Sequence, residues 1–227
     1  ERGERRAGIL IEIHNFGTAR NITVRHNRVA NVNGSLFKNR GGGTGIRFVN
    51  SGQEIQSRFD GLTIEHNHLI RTERNGIAGG GGNVSRSNWH PNLNVVIQYN
   101  LLEEVPGDGI VPIGCDGAIV RRNVIRHGTP LLKREHSAAA GIWPWSCDNT
   151  LIEFNEVSHQ RAAQDGQGFD ADWNCRGTII QYNYSHHNDG GFLLICNDGS
   201  SSPDYSAGNT GTIVRYNVSF NDGLREV

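Results

Sequence analysis

The segments TLIEFN, at residues 150–155, and TIIQYN, at residues 178–183, are two copies of the motif that determines the fold. Seven such segments align on a final asparagine, and successive asparagines are 23 to 40 residues apart. Loops of variable length between stacked coils give such irregular spacing, whereas helical repeats keep a stricter period. The motif therefore predicts a solenoid with one asparagine per coil, at Asn27, Asn67, Asn100, Asn123, Asn155, Asn183 and Asn217.

Apolar and polar residues alternate within each copy. The position three residues before the asparagine is always valine or isoleucine, and the next position is always arginine, glutamate or glutamine. This period of two is expected of a strand with one buried face, and β-branched residues suit a pleated strand. An asparagine repeated at one corner can adopt a left-handed or turn conformation and donate its amide to the next asparagine. We therefore expect a structural ladder rather than seven ligand-binding residues.

A second series of strands lies between the asparagine segments. Each strand begins with glycine and a large apolar residue, as in GIWPWS from Gly141, GFDADW from Gly168 and GFLLIC from Gly191. The apolar residue and the residue two positions later must face the core, so the positions between them point outwards. This register places three pairs on one outer face, in successive coils: Trp143 and Trp145, Asp170 and Asp172, and Leu193 and Ile195.

These features predict an all-β fold, a right-handed parallel β-helix solenoid of about seven coils with an asparagine ladder. The handedness follows because about 98% of parallel crossover connections are right-handed. Residues 1–227 are expected to form a single domain. Both ends interrupt the repeat and no capping segment is visible, so we expect this domain to be a fragment of a longer chain.

Charge and hydropathy exclude two classes of partner. The net charge is −1 and the isoelectric point is near 6.9, so no electrostatic field would recruit nucleic acid or an anionic membrane. A membrane span needs a run of about 18 apolar residues, and the sequence contains none.

The aspartate pair is the main catalytic candidate. Residues two apart on a strand project to one side, about 6.5–7 Å apart at the backbone, and paired carboxyls at about 5–9.5 Å can act on one glycosidic bond. Apolar neighbours and the like charge would separate the pKa values of Asp170 and Asp172, as an acid and a base require. Asp165, in the preceding turn, could replace either one, and Trp143 and Trp145 offer flat apolar faces to sugar rings. The alternatives are a solvated aspartate pair and tryptophans that pack against another domain.

Histidines form a second group of candidates. His127, His159 and His187 each follow a ladder asparagine by four residues, which suits either a structural stack or hydrogen bonding to sugar in the groove. His136 lies in the insertion 131–140, which we expect to cover the groove. We therefore include His136, His159 and His187 among the substrate-binding candidates. Residues stacked in line about 4.8 Å apart do not converge on a zinc ion, so no metal or cofactor is expected.

The recurring segments and the stretch DGQGFDADWNCRGTIIQYNYSHHNDGGFLLIC, residues 165–196, resemble the right-handed parallel β-helix (pectin-lyase-like) superfamily of bacterial carbohydrate-active proteins. That superfamily contains glycoside hydrolases, polysaccharide lyases, uronate epimerases and phage tailspikes. The signature motifs of polygalacturonases, mannuronan epimerases and pectate lyases are absent from this sequence, so no catalytic residue is carried over from them.

The combined prediction is a glycan-acting enzyme, a glycoside hydrolase that uses Asp170 and Asp172 on a poly- or oligosaccharide. The resemblance implies a secreted or cell-envelope protein of a bacterium, with flanking domains of the same polypeptide as further partners. Two alternatives remain open: a polysaccharide lyase with an arginine or histidine base, and a non-catalytic carbohydrate-binding or structural β-helix.

Overall fold

Three parallel sheets wind around a common core in the computed structural model, which describes residues 6–82, 84–126, 133–197, 203–205 and 208–225. His127 and the first two residues of the 131–140 insertion lie outside the described residues. No helix in the described ranges is long and apolar enough to cross a membrane. The chain passes repeatedly from sheet A to sheet B and sheet C, so the predicted all-β parallel solenoid is confirmed.

The strands of each sheet follow one another in chain order along the solenoid. Sheet A contains Ala7–His14, Thr44–Ser51, Ile77–Gly81, Ile110–Val111, Gln167–Ala171 and Gly191–Ile195, with single bridges at Ile142. Sheet B contains Thr18–Arg25, Arg58–Glu65, Asn92–Leu93, Val96–Gln98, Cys115–Asp116, Ile119–Arg121, Leu151–Glu153, Cys175–Arg176, Ile179–Gln181, Asn209–Thr210 and Ile213–Arg215. Sheet C contains Arg28–Val32, His68–Thr72, Leu101–Glu103, Val124–Arg126, Glu156–Ser158, Tyr184–His186 and Val218–Phe220. Short 3-10 turns lie at Lys38–Arg40, Arg134–His136 and Pro203–Tyr205.

The predicted apolar column runs through sheet B. Ile97 pairs with Ile64 on one side and Val120 on the other, and all three side chains are fully buried. The polar positions beside them face outwards and bind one another, since Arg121 Nε donates to Gln98 Oε1 at 2.8 Å. The period of two in the sequence is therefore the alternation of core and surface residues.

Hydrogen bonds join the seven motif asparagines from Asn27 to Asn217. Asn100, for example, donates both its side-chain amide and its backbone N–H to Asn123 Oδ1, each at 3.0 Å. Its amide also donates to the Ile64 carbonyl at 2.9 Å. Because the side chains of the five inner asparagines are buried between sheets B and C, their amides satisfy polar groups that water cannot reach.

The left-handed residue at this corner is the one before each asparagine. His66, Tyr99 and Phe154 have φ between 53° and 56°, whereas Asn67, Asn100 and Asn155 keep ordinary backbone angles. The preceding residue makes the turn between the sheets, and the asparagine is left to extend its amide along the stack. The outward rings at the turn also stack, with His66 and Tyr99 centroids 4.9 Å apart.

The register predicted for the last strand of sheet A was wrong by one residue. Leu194, and not Leu193, pairs with Asp170, while Leu193 pairs with Phe169 and packs against the core. The two turns align on their Asp-Gly pairs, Asp165–Gly166 and Asp189–Gly190, instead of on the Gly-Phe pairs. The outward face of this coil therefore presents Leu194 and Cys196 to the groove, in place of Leu193 and Ile195.

Replacing Asn123 with alanine should lower the free energy of unfolding by about 2–4 kcal/mol. The change removes the acceptor of two Asn100 donors and leaves the buried Ile97 carbonyl without the Asn123 amide. Guanidinium unfolding followed by circular dichroism measures the loss, with the exposed Asn39→Ala as the matched control. Equal stability of the two variants would contradict the conclusion that the asparagine ladder stabilises the fold.

Candidate active site

Four carboxyl groups line one pocket on the outer face of sheet A, and three of them come from a single strand and its two ends. Asp165 lies in the turn before the strand Gln167–Ala171, Asp170 lies on this strand, and Asp172 follows it directly. The pocket has a volume of about 220 Å³. Its lining consists of these three aspartates with Lys38, Asp108, Ala140, Trp143, Trp173, Leu194 and Cys196.

The turn that carries Asp165 is held by the coils on both sides. Asp165 has φ +58° and Gly166 has φ +80°, and the Gly166 N–H donates to the Ala139 carbonyl at 2.8 Å. A Cβ at Gly190 would collide with the Asp165 carbonyl oxygen, so only glycine allows this close approach of the next coil. The Arg225 guanidinium donates to the same carbonyl oxygen. These contacts fix the backbone of Asp165 while its side chain stays partly exposed to the groove.

Asp170 is the most buried of the three. Its side chain lies in the row between Trp143 and Leu194, the residue is 5% exposed, and its Oδ1 has no hydrogen-bond partner. Burial raises the pKa of Asp170 to about 8, and the charges of Asp172 and Asp165 add to this effect. Asp170 is therefore protonated at neutral pH.

Asp172 and Asp165 are less buried and differ from Asp170 in their partners. Burial raises the pKa of Asp172 to about 6, against the opposing effects of the Trp173 N–H, which donates to its Oδ1 at 2.8 Å, and of Lys38. Burial also raises the pKa of Asp165, while Lys38 opposes the shift. At neutral pH the pocket therefore holds an ionised Asp172 beside a protonated Asp170.

A buried ion cluster that the sequence did not predict forms one wall of the pocket. Asp108 is 1% exposed, and its Oδ1 accepts hydrogen bonds from Trp143 Nε1 at 3.1 Å and from the Ala140 N–H at 3.2 Å. Its Oδ2 lies 3.7 Å from Lys38 Nζ and 3.9 Å from Arg74 Nη2. Because Asp108, Lys38 and Arg74 come from three separate loops, no local motif connects them. The one available signal is that Lys38 is one of only two lysines in an arginine-rich chain.

The two tryptophans predicted as a sugar platform have different positions. Trp143 lines the pocket, and the Lys38 ammonium lies 4.8 Å from its ring centroid. Trp145 stacks on Tyr205 with ring centroids 5.9 Å apart and contacts Trp173 edge-on at 5.8 Å. Tyr205 therefore covers one face of Trp145, and Trp173, which the sequence did not indicate, provides the second aromatic wall of the pocket.

The candidate histidines lie outside the carboxyl pocket. His136 is buried edge-on against Phe37, at 4.9 Å, and lines an adjoining cleft that shares Lys38 with the pocket. His159 and His187 stack on each other at 5.2 Å at the end of sheet C and are not among the residues that line the pocket. In the described ranges, no group of three histidine, cysteine or acidic side chains is arranged to hold a metal ion.

Comparison with known proteins places these features in a family. The chain matches the family model described as "Right handed beta helix region" over residues 45–222. It is 30% identical over 261 aligned residues to a lacto-N-biosidase of Bifidobacterium longum subsp. longum, a match that covers 96% of this chain and 16% of that protein.

Two crystal structures of a GH136 lacto-N-biosidase from Eubacterium ramulus are also similar. The native form is 27% identical with a TM-score of 0.73, and the match covers 93% of this chain and 36% of that one. The selenomethionine form is 28% identical with a TM-score of 0.76, and the match covers 94% and 37%. The chain thus spans only about a third, or less, of the length of these relatives.

Replacing Asp170 with asparagine should remove a pH-dependent loss of stability. In the folded protein the pKa of Asp170 is about 8, above its ordinary value of 3.8. The stabilisation that Asp170 gives the folded state is therefore complete below pH 3.8 and is lost as the pH rises through 8. Relative to the native protein, the variant should therefore gain on the order of 2–4 kcal/mol of unfolding free energy between pH 5 and pH 8.

Urea unfolding at both pH values measures this gain, with Asp60→Asn on sheet B as the control. Parallel pH dependence of the native and Asp170→Asn proteins would mean that Asp170 ionises in the folded state at an ordinary pKa.

Proposed function

The chain belongs to the right-handed β-helix family, and we propose that it is the catalytic region of a glycoside hydrolase that acts on an oligosaccharide. The observation that carries this proposal is the cluster of three carboxyl groups in a groove with two tryptophan walls. Hydrolysis of a glycosidic bond needs one carboxyl group that holds a proton and one that is ionised. Carboxyls in both states are found in this one pocket, because the pKa of Asp172 is about 6, while burial raises the pKa of Asp170 to about 8 and also raises that of Asp165.

The similar proteins suggest the substrate. Both are lacto-N-biosidases, and the similarity to the Bifidobacterium longum protein covers 96% of this chain. We infer that this protein likewise releases lacto-N-biose from the end of an oligosaccharide. We further propose that the protein is secreted or attached to the cell envelope, as its resemblance to bacterial carbohydrate-active proteins implies.

Asp172 is the ionised member of the pair in our assignment. It is partly exposed to the groove, and its pKa of about 6 leaves it as a carboxylate at neutral pH. The Trp173 N–H fixes one oxygen at 2.8 Å, which orients the carboxylate. A carboxylate held in this way can act as the nucleophile, or as the base that activates water.

The proton donor is either Asp170, as the sequence analysis proposed, or Asp165. Asp170 holds its proton at neutral pH, but it is 5% exposed and one of its oxygens is wholly buried. Asp165 also has a raised pKa and is more open to the groove. Because a proton donor must contact the glycosidic oxygen, we assign this role to Asp165. In this assignment Asp170 stays protonated and adds no further negative charge to the pocket.

Substitution of the aspartates tests the site and the assignment together. With an aryl glycoside of lacto-N-biose, Asp172→Asn should lower kcat/KM by about 10³-fold or more, because the ionised carboxylate is lost. Asp165→Asn should lower kcat by about 10²–10⁴-fold on an oligosaccharide and much less on the aryl glycoside, whose leaving group needs little protonation. Asp170→Asn, which mimics the protonated acid, should stay within about tenfold of the native protein, as should the control Asp60→Asn.

Other results of these assays would favour a different acid–base pair, a lyase or a non-catalytic protein. A large loss in Asp170→Asn with little change in Asp165→Asn would restore the pair Asp170 and Asp172. A product that absorbs in the ultraviolet would indicate a lyase. Tight binding of oligosaccharides without release of reducing ends, over a broad glycan panel, would identify a carbohydrate-binding solenoid and reject the hydrolase.

The pH dependence of kcat/KM provides a separate test. Activity should fall as the pH drops below about 6, because Asp172 becomes protonated there. Lys38 lowers the pKa of Asp172, so Lys38→Met should move this acidic limb to higher pH. Lys133→Met, which removes the other lysine of the chain, should leave the limb in place. Identical profiles for the native protein and Lys38→Met would show that Asp172 does not control this limb.

A further inference from the structure

Arg86 is not among the residues that line the carboxyl pocket, but it binds the short segment of chain that carries Asp172. We propose that Arg86 is a positioning residue, which acts through Asn174 to keep the Asp172 carboxylate oriented for reaction. This inference rests on the proposed function, in which Asp172 reacts as a carboxylate. The contact between Arg86 and Asn174 belongs to the fold, so its effect on Asp172 can also be measured without turnover.

The Arg86 guanidinium binds both oxygens of Asn174, 88 residues further along the chain. Its Nε donates to Asn174 Oδ1 at 3.0 Å, and its Nη2 donates to the Asn174 carbonyl oxygen. Its Nη1 lies 3.0 Å from Asp148 Oδ1, and its Cζ lies 4.3 Å from the centroid of the Trp89 ring. A planar guanidinium can bind two oxygens and stack on a ring at the same time, which an ammonium group cannot do. Only 12% of the Arg86 side chain is exposed, so these contacts are largely shielded from water.

Asn174 forms the turn that follows Asp172. It is fully buried with φ +61°, and the strand Cys175–Arg176 of sheet B begins directly after it. Its Nδ2 donates to Ser146 Oγ at 2.8 Å, so its side chain is bound on a second side. Asparagine adopts the left-handed conformation more readily than most residues, but the surrounding structure still has to maintain it. Arg86 supplies two of the hydrogen bonds that do so.

The turn at Asn174 sets the direction of the Trp173 N–H, which orients Asp172. That N–H donates to Asp172 Oδ1 at 2.8 Å, and rotation of this peptide would turn it away from the carboxylate. Asp172 and Trp173 follow the strand Gln167–Ala171, and Asn174 precedes the next strand. The three residues therefore form a short link between sheets A and B, and Arg86 holds the far end of that link.

Arg86 also connects this link to the aromatic side of the site. Its backbone N–H donates to the Asp204 carbonyl oxygen at 2.7 Å, and the next residue, Tyr205, stacks on Trp145. Trp145 in turn contacts Trp173 edge-on. Arg86 thus constrains Trp173 both through its neighbour in the chain and through its ring.

Replacing Arg86 with methionine removes the guanidinium and keeps a side chain of similar length. The Trp173 N–H should then leave Asp172, so kcat on an aryl glycoside of lacto-N-biose should fall about 10–100-fold while KM changes less than about threefold. Because the Trp173 N–H lowers the pKa of Asp172, the acidic limb of kcat/KM should also move to higher pH. Asn174→Gly removes the side-chain oxygen but permits φ +61°, so it should have the same effects and is the second variant if Arg86→Met folds poorly.

The matched control is Arg121→Met. Arg121 Nε also donates to an amide oxygen, Gln98 Oε1 at 2.8 Å, but Arg121 is not among the residues that line the pocket. This variant should keep the native kcat and the native acidic limb.

The pH titration of the Asp172 carboxyl by ¹³C NMR, assigned with Asp172→Asn, provides a readout without substrate. Both Arg86→Met and Asn174→Gly should raise the pKa of Asp172. Since Asn174→Gly retains the Arg86 charge, a rise common to both variants reports the lost hydrogen bond and not the lost charge. Both variants leave in place the other titratable groups that line the pocket with Asp172, which are Lys38, Asp108, Asp165, Asp170 and Cys196.

The results separate the positioning role from the proposed reaction. A raised pKa of Asp172 in both variants, together with a loss of kcat, supports the positioning role. If the native protein hydrolyses no oligosaccharide, the proposed function fails, but the raised pKa still supports the orientation of Asp172 by Arg86. An unchanged Asp172 titration in folded Arg86→Met and Asn174→Gly overturns the inference even if the native protein releases lacto-N-biose. A loss of kcat no larger than that of Arg121→Met overturns it as well.

Discussion

The hydrogen bonds between successive asparagines set the register on which every outward surface of the solenoid depends. Each asparagine holds the next coil through two donors to one oxygen, as between Asn155 and Asn183 at 2.9 and 3.0 Å. A strand that slipped by one residue would exchange its buried and exposed faces. With the corner fixed on both sides, the strand Gln167–Ala171 has one available register, and Asp170 faces the groove instead of the core.

That rigidity allows the protein to hold acidic groups that repel one another. Asp108, Asp165, Asp170 and Asp172 line one pocket with a single lysine, and burial raises the pKa of three of them. In an isolated turn, the carboxyls would move apart or take up water. Here the backbone of Asp165 is bound by neighbouring coils and Asp170 sits within a paired strand, so the groups respond by holding protons. The free energy gained by stacking the coils thus offsets the free-energy cost of crowding these carboxyl groups, a trade-off that is common at functional sites.

The sequence predicted those parts of the molecule that follow from strand periodicity. Val120 and Ile152 stack in the core because β-branched residues recur at one position, and Asp170 was placed on the outer face by the same alternation. Prediction failed where turns and loops decide the geometry. The strand Gly191–Ile195 shifted by one residue because its Asp-Gly turn, with Gly191 at φ +111°, sets where the strand begins. Trp145 could not be recognised as covered, since Tyr205 is 60 residues away in the chain.

The wall formed by Asp108, Lys38 and Arg74 was also not predicted, because its residues come from loops. Its contacts suggest how the groove is assembled. Arg74 is 3% exposed and donates to the carbonyls of Leu36 and Ala138 at 3.0 Å, which lie in two loops that contact each other through Phe37 and His136. One guanidinium therefore joins the loop that delivers Lys38 to the insertion that leads to Trp143, with Asp108 as its counter-ion. The strand Gln167–Ala171 and its two ends provide fixed positions for Asp170, Asp165 and Asp172, whereas these loops provide the cation and the aromatic wall. Because periodicity constrains the strands and only tertiary contacts constrain the loops, the sequence indicated the candidate carboxyl groups but not the residues around them.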